Sequence, residues 1–176
     1  MIEKGTSDLS SFVKETLDHL TTSEDKVPVN ASEIINKYVE SINQLLKKRL
    51  INLNLNIQQE GNFNTNAIEF RSIISNLGGN AIKYSDPFKS GKFINLSLSS
   101  HSNSVVLKVE ANGLGIKKEN LARLMEQNYQ VDKKNSEGVG LGLYMVGKSV
   151  HKLGGSINIQ SEFMKGTTFI INIPTN

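Results

Sequence analysis

The chain contains no cysteine and no tryptophan, and it has no apolar run long enough to span a bilayer. Without cysteine, disulfides and thiolate metal sites are excluded, which fits a reducing compartment. The N-terminal residues MIEKGTSDLS also lack the apolar core of a signal peptide. From these absences we expect a cytoplasmic chain that contains no membrane segment.

Basic residues only slightly outnumber acidic ones, with 20 Lys and Arg against 17 Asp and Glu. The basic residues are scattered, and the densest cluster is Lys47-Lys48-Arg49. A nucleic-acid binder usually concentrates basic charge on one face and interleaves aromatic residues with it. Because aromatics make up only 6% of the chain and no such clustering occurs, we expect no nucleic-acid partner.

The first part of the chain is predicted to form a helix and a linker before a second helix. Residues 7–20 place apolar side chains at helical spacing, whereas the polar residues 21–29 surround Pro28, which is typical of a linker. The second helix begins at Asn30, which has capping-box spacing to Glu33. Its predicted apolar face consists of Ile34, Ile35, Tyr38, Val39, Ile42 and Leu45.

The rest of the chain alternates between strand and helix patterns. Strands are predicted at residues 51–57, 94–99, 105–110, 156–160 and 167–173. Helices are predicted at 67–84, 118–126 and 141–153, with a loop at 61–66 and a polar stretch at 127–137. A mixed sheet of about five strands carrying three main helices indicates an α/β (α+β) two-layer sandwich rather than a doubly wound sheet.

A glycine-rich segment, GVGLGL at residues 138–143, directly precedes the last helix. Glycines allow close approach of the backbone to a ligand, and a helix N-terminus offers unpaired N–H groups to an anion. The segment is neither a Walker A loop nor a dinucleotide fingerprint placed after a strand. Taken alone, it is equally compatible with a flexible loop.

Three further motifs accompany this segment in a fixed order. Residues 76–85 (NLGGNAIKYS) resemble the N box of sensor histidine kinases, 112–116 (NGLGI) their first glycine box, and 138–143 their second. Residues 154–156 and 166–169 (GTTF) match the closing strand pair of that family. The resemblance implies the Bergerat ATP-binding fold over residues 29–176, preceded at 1–28 by the end of a dimerisation helix and a linker.

The resemblance also implies roles for residues of the N box. Asn80 would supply an amide oxygen to Mg²⁺, a cation that keeps water and phosphate oxygens as its other ligands. Lys83 would neutralise phosphate, and Tyr84 would lie against the adenine or the sugar. A helix-surface amide, a solvated lysine and a packed tyrosine are the alternatives for these three positions.

The implied ligand is ATP or ADP with Mg²⁺, held by residues from several motifs. Besides those of the N box, the expected contacts are Ala111, Gly113, Gly115, Ile116, Tyr129, Gly138, Gly140, Leu141, Gly142, Leu143, Thr167 and Thr168. Asn76 and Lys83 are the expected catalytic residues. Members of the superfamily that hydrolyse ATP carry a glutamate where this chain has Asn76, and an amide cannot act as that base. Asn76 therefore favours phosphoryl transfer to a protein.

The acceptor histidine is expected outside this chain, because His19 lacks the acidic residue and proline of the family's acceptor motif. The implied partners are the dimerisation and phosphoacceptor domain of a parent kinase and, indirectly, a response regulator of a two-component system. The chain would then be a cytoplasmic portion of a sensor kinase. A stand-alone serine kinase of the anti-sigma type is an alternative.

Three departures from the family pattern all fall on the expected nucleotide pocket or its lid. Ala111 stands where the family has the aspartate that accepts a hydrogen bond from adenine. The segment at 124–130 has lost the lid's phenylalanines, and Gly78-Gly79 replaces larger residues at a cost of roughly 1 kcal/mol each relative to alanine. These departures leave open a degenerate domain that acts as an interaction module.

Overall fold

The computed structural model describes residues 26–129 and 140–175, and all structural statements below concern these ranges. The predicted helix at 7–20 with His19, the polar stretch beyond Tyr129, and Gly138 lie outside the described residues. Within them, the elements in chain order are β1 (Val27–Val29), α1 (Ala31–Arg49), β2 (Ile51–Gln58), β3 (Phe63–Thr65), α2 (Ala67–Lys83), β4 (Lys92–His101), β5 (Ser104–Ala111), α3 (Lys118–Leu121), α4 (Gly142–Lys152), β6 (Ser156–Glu162) and β7 (Gly166–Pro174).

Five strands form one mixed sheet in the order β2-β4-β5-β7-β6. β2 pairs with β4 in parallel, and the other neighbouring strands are antiparallel. Alternate residues of the three central strands are buried, as expected for a sheet with one covered face. These inward residues are Ile94, Leu96, Leu98, Val105, Leu107, Val109, Phe169, Ile171 and Ile173.

The three long helices, α1, α2 and α4, contribute the other half of the hydrophobic core. Ile35 of α1, Phe70 and Leu77 of α2, and Val146 of α4 are fully buried against the inward residues of the sheet. The predicted two-layer sandwich, with five strands in a mixed sheet and three main helices, is therefore confirmed. α3 is a single short turn of helix, which lies between β5 and α4 in the sequence.

Asparagine side chains begin both α1 and α2. Asn30 Oδ1 accepts a hydrogen bond from Glu33 N at 3.1 Å, so the predicted start of α1 is correct. The Glu33 carboxylate does not complete the capping box, because it pairs with Lys37 Nζ at 2.6 Å. Asn66 caps α2 in the same way, through the backbone N–H groups of Ile68 and Glu69. Each cap satisfies donors that a helix start leaves unpaired.

The predicted linker and loop contain a small second sheet. β1 and β3 pair antiparallel, with Val29 opposite Phe63 and Pro28 opposite Asn64. Proline is tolerated here because the strand is short and lies at an edge. Phe63 then packs edge-to-face on Phe70 of α2, with ring centroids 5.5 Å apart. The interpretation of 21–29 as linker throughout is thus wrong for Val27–Val29.

Two smaller expectations also fail. Leu46 rather than Leu45 is the buried leucine at the end of α1, with 5% against 42% of its surface exposed. The helix predicted to reach residue 126 ends at Leu121, and turns follow it.

No helix in the described part of the chain is long and apolar enough to cross a membrane.

Candidate functional site

The N box and the second glycine box meet where α2 packs against α4. A Cβ atom at Gly142, the first residue of α4, would lie 2.9 Å from Asn76 Oδ1 and 3.7 Å from Asn80 Nδ2. Asn76 is oriented by its own helix, since its Nδ2 donates to the Ser72 carbonyl oxygen at 2.9 Å. The absence of a side chain at Gly142 therefore lets the start of α4 lie directly on both asparagines.

The opposite ends of the same two helices are joined by an ion pair. Lys152 Nζ, at the end of α4, lies 2.8 Å from Glu69 Oε1, near the start of α2. The Glu69 side chain is only 3% exposed, whereas that of Lys152 is 44% exposed. The two helices thus run antiparallel, with the ion pair at one end and Gly142 on the asparagines at the other.

The last turn of α2 carries the remaining N-box side chains. Asn80 is half-buried, and its side chain makes no hydrogen bond within the described residues, so its amide is available to a ligand. The ammonium group of Lys83 lies 5.0 Å from the centroid of the exposed Tyr84 ring. Arg49 Nη1 donates to the carbonyl oxygen of Ile82 at 3.2 Å and so fixes this helix end to α1.

The first glycine box joins the end of α2 to the turn between β6 and β7. A Cβ atom at Gly113 would overlap the carbonyl oxygen of Tyr84, and Leu114 N donates to that same oxygen at 3.0 Å. Gly115 has a φ of +64°, and a Cβ there would overlap the carbonyl oxygen of Glu162. Both positions therefore require glycine because of contacts within the chain itself, independently of any ligand.

Ala111 is the last residue of β5 and shares the inward face with Val109 and Leu107. Glu110 points to the opposite face, where its carboxylate pairs with Lys108 Nζ at 3.0 Å. Glu110 therefore cannot take over the function of an aspartate at position 111. Ala111 therefore lies on the face of the sheet that packs against the hydrophobic core.

Thr167 and Thr168 lie on opposite faces of β7. Thr167 pairs with Ala111 and shares its inward face, whereas Thr168 pairs with Glu110 on the outer face. The structure thus brings Thr167, but not Thr168, to the side of the sheet on which α2 and α4 lie.

Ser161 contacts two of the expected site residues, Ile116 and Thr167, but it belongs to none of the motifs. Its Oγ accepts a hydrogen bond from Ile116 N at 2.8 Å, donates to Gly166 O at 2.9 Å, and lies 2.7 Å from Thr167 Oγ1. Ser161 therefore connects the first glycine box with the start of β7. The alternation of Ile157, Ile159 and Ser161 could have placed its side chain on the inner face, but no motif singles it out.

The remaining expected contacts flank the residues that are not described. Tyr129 donates from its hydroxyl to Asn120 Oδ1 at 2.8 Å, and the Arg123 guanidinium lies 4.5 Å from its ring centroid. Gly140, with a φ of +74°, and Leu141 lead into α4, which has no side-chain cap. Leu143 packs against the core. Tyr129 thus contacts α3, not the N box, in this structure.

The chemistry of a metal here is limited by the available ligands. Among the described residues there is no group of three or more His, Cys, Asp or Glu side chains that could hold an ion. A cation at Asn80 would therefore depend on phosphate oxygens and water for its other ligands, and Mg²⁺ is commonly bound in this way. The residues present fit a metal that arrives with a polyphosphate.

At this site, the helix that carries Asn76 and Asn80 packs against the helix that begins at Gly142, and both lie on one face of a mixed sheet. Comparison with known proteins shows the family to which the chain belongs. Residues 65–176 match the histidine kinase-, DNA gyrase B- and HSP90-like ATPases, and the chain belongs to this family. The sensor protein SrrB of Staphylococcus aureus (strain NCTC 8325 / PS 47) is 30% identical over 154 residues, covering 80% of this chain. The chain spans about a quarter (26%) of SrrB.

Solved structures of histidine kinases share the fold. Full-length ShkA in complex with AMPPNP superposes with a TM-score of 0.79 at 22% identity, over 94% of this chain and 35% of ShkA. The catalytic domain of ThkA, in a nucleotide-free form, gives 0.74 at 20% identity, over 86% of this chain and 96% of that domain. Acinetobacter baumannii AdeS gives 0.77 at 19% identity, over 97% of this chain and 80% of AdeS.

Proposed function

We propose that the chain binds ATP with Mg²⁺ and donates the γ-phosphate to a histidine outside this chain, as the catalytic domain of a sensor histidine kinase. The main support for this proposal is the close packing of Gly142 against Asn76 and Asn80. It places a helix start, with its unpaired N–H groups, beside the one N-box amide that has no hydrogen-bond partner within the described residues. ShkA, which shares the fold, was solved with the ATP analogue AMPPNP.

In this proposal, each N-box side chain has a separate task. Asn80 contributes its amide oxygen to Mg²⁺, and Lys83 neutralises phosphate charge from one turn further along α2. Bound Mg²⁺ would supply charge stabilisation to the transferring phosphoryl group. The protein itself positions the nucleotide and neutralises its charge, and it supplies no covalent chemistry.

Asn76 supports transfer rather than hydrolysis. Its amide has no basicity with which to activate water. Its Nδ2 is already bonded to the Ser72 carbonyl and its Oδ1 lies against Gly142, so it holds the two helices in place. We therefore assign Asn76 a positioning role in phosphoryl transfer. The acceptor would come from the dimerisation domain of a parent kinase, and a response regulator would receive the phosphate in turn.

A calorimetric titration with ADP, in the presence and absence of Mg²⁺, tests the proposal. We expect Mg²⁺ to tighten ADP binding in the parent chain, and Asn80→Ala to remove that dependence while the chain stays folded. Asn43→Ala, which changes an exposed asparagine of α1, is the matched control and should behave like the parent. An ADP affinity that is independent of Mg²⁺ in all three proteins would contradict the role of Asn80.

A second candidate is a domain that has lost nucleotide affinity and acts as an interaction module. Ala111 favours this candidate, because an alanine cannot accept the hydrogen bond that the family's aspartate takes from adenine. The absence of any ADP binding at millimolar concentration would support it. A serine kinase of the anti-sigma type is distinguished by phosphorylation of a serine in a small partner protein.

A further inference from the structure

Four side chains form a row across the inner face of the sheet beside the first glycine box. Strand register places Ile94 opposite Ala111, Ala111 opposite Thr167, and Thr167 opposite Ser161. Thr167 and Ser161 are half-buried, so a ligand can reach them. The row contains two hydroxyl groups and no carboxylate.

The Ser161 hydroxyl has one proton and two acceptors for it. Gly166 O lies 2.9 Å from Ser161 Oγ, and Thr167 Oγ1 lies 2.7 Å from it. Ile116 N occupies one lone pair of the same oxygen, at 2.8 Å. Because a hydroxyl group donates one hydrogen bond and accepts two, two proton arrangements are possible, and Gly166 O receives the Ser161 proton in only one of them.

These arrangements give Thr167 opposite properties toward a ligand. When Ser161 donates to Gly166 O, Thr167 donates to Ser161 and keeps its lone pairs for an incoming N–H group. When Ser161 donates to Thr167, the Thr167 proton is free to donate to an incoming carbonyl oxygen. The change needs only rotation of two hydroxyl groups, with no movement of the backbone.

We propose that the Ser161–Thr167 hydroxyl pair makes the base pocket tolerant of both 6-amino and 6-oxo purines. This inference rests on the proposed nucleotide-binding function and concerns which nucleotides the site accepts. A carboxylate only accepts hydrogen bonds and so favours the amino group of adenine. The hydroxyl pair can accept a hydrogen bond from the amino group of adenine or donate one to the carbonyl oxygen of hypoxanthine. Inosine and guanine nucleotides therefore bind in the same pocket as adenine nucleotides.

The carboxylate of Asp86, in the loop after α2, is engaged in that loop. Asp86 is buried, and its Oδ1 accepts a hydrogen bond from Phe88 N at 2.9 Å. This contact is an Asx-turn, which stabilises the loop locally. Asp86 is not a member of the inner row, whose polar groups are the hydroxyls of Ser161 and Thr167.

The test is the affinity of the chain for ADP, IDP and inorganic tripolyphosphate, measured by calorimetry at one salt and Mg²⁺ concentration. IDP differs from ADP only in the base, which carries a 6-oxo group and a protonated N1. We expect the ADP and IDP affinities of the parent chain to agree within about threefold. Thr167→Val, which keeps the shape and removes the hydroxyl, should weaken both by about fivefold, the cost of one neutral hydrogen bond.

Thr168→Val is the matched control, because Thr168 lies on the outer face and should leave both affinities unchanged. If the parent chain binds ADP about twentyfold or more tightly than IDP, the inference is overturned. Such a preference would indicate that a group which can only accept hydrogen bonds contacts the base. Asp86 would then be the first residue to substitute in order to identify that group. Equal effects of the two threonine variants would also overturn it. If neither nucleotide nor tripolyphosphate binds, the proposed function fails, and this inference fails with it.

Discussion

Gly78 lies directly against the ring of Tyr38, and a Cβ atom at position 78 would come within 2.6 Å of Tyr38 Cε1. The neighbouring Gly79 is exposed, and a Cβ there would meet nothing within 4 Å. The two glycines of the N box thus have different reasons for being there. Gly78 lets α1 approach α2, whereas nothing in the structure explains Gly79.

This difference predicts opposite effects for two alanine substitutions. Gly79→Ala should raise the free energy of unfolding by about 1 kcal/mol, because alanine loses less backbone entropy in a helix. Gly78→Ala should lower it by about 1–3 kcal/mol, because the added methyl group overpacks the contact with Tyr38. Chemical denaturation of both variants measures the difference. Equal stabilisation by the two substitutions would show that the Tyr38 contact is not tight.

Tyr38 also predicts a dependence of stability on alkaline pH. Its hydroxyl is buried without a hydrogen-bond partner, and burial raises its pKa from 10 to about 12. The folded state therefore holds the phenol proton more tightly than the unfolded state. The contribution is fully present below pH 10 and is lost as the pH rises toward 12, with a slope of up to about 1.4 kcal/mol per pH unit.

Tyr38→Phe removes this term, so the difference in stability between variant and parent should grow above pH 10 in favour of the variant. At neutral pH the variant should already be more stable by about 1 kcal/mol, because the hydroxyl that it lacks is buried without a hydrogen-bond partner. Urea denaturation at pH 7 and at several values above pH 10 provides the comparison. A constant difference across this range would mean that the phenol ionises equally in both states.

Sequence periodicity was sufficient for the large elements and insufficient for contacts between distant residues. Alternating apolar residues located all five strands of the main sheet, because one face of that sheet is buried. β1 and β3 have three residues each and are defined only by pairing across the chain, so no local pattern indicated them. The motif GTTF suggested both threonines, whereas strand geometry leaves only Thr167 on the inner face. Ser161 could be recognised only from its three partners.

The ion pair between Glu69 and Lys152 joins residues 83 positions apart and was equally invisible to sequence patterns. Lys152→Met should destabilise the fold by about 2–3 kcal/mol, because it leaves the nearly buried Glu69 carboxylate without this cation. Lys37→Met is the matched control, since both side chains of the Lys37–Glu33 pair are more than half exposed. It should change the stability by about 0.5 kcal/mol or less. Similar losses in the two variants would show that burial does not strengthen the first pair.

The chain should not phosphorylate itself when it is incubated with labelled ATP and Mg²⁺. It contains three histidines, His19, His101 and His151, and none has the sequence pattern of the family's acceptor. Label should appear instead on a separately supplied dimerisation and phosphoacceptor domain of a sensor kinase. Acid-labile label on His19 would contradict this prediction and place the acceptor within the chain.

Ala111→Asp should convert the site from tolerance of several purines to preference for adenine. Ala111 lies on the inner face beside Thr167, so a carboxylate there would face the base that the proposed site holds. Its hydrogen bond from the adenine amino group should contribute ~1.5–3 kcal/mol at best, less the cost of desolvating the carboxylate. We expect ADP affinity to rise at least a fewfold. GDP affinity should fall, because guanine presents a carbonyl oxygen where adenine presents an amino group.

Ala111→Asn is the control for this substitution, because its amide both accepts and donates and so should favour neither base strongly. The measurement is ADP and GDP affinity of the parent and both variants at the same salt and Mg²⁺ concentration, with a melting curve for each. A melting temperature close to that of the parent shows that the inner face tolerates the new polar group. If Ala111→Asp improves ADP and GDP binding equally, or changes neither, Ala111 does not face the base. The register assigned to the first glycine box would then be wrong, because Ala111 and Thr167 are placed in the pocket by the same pairing of β5 with β7.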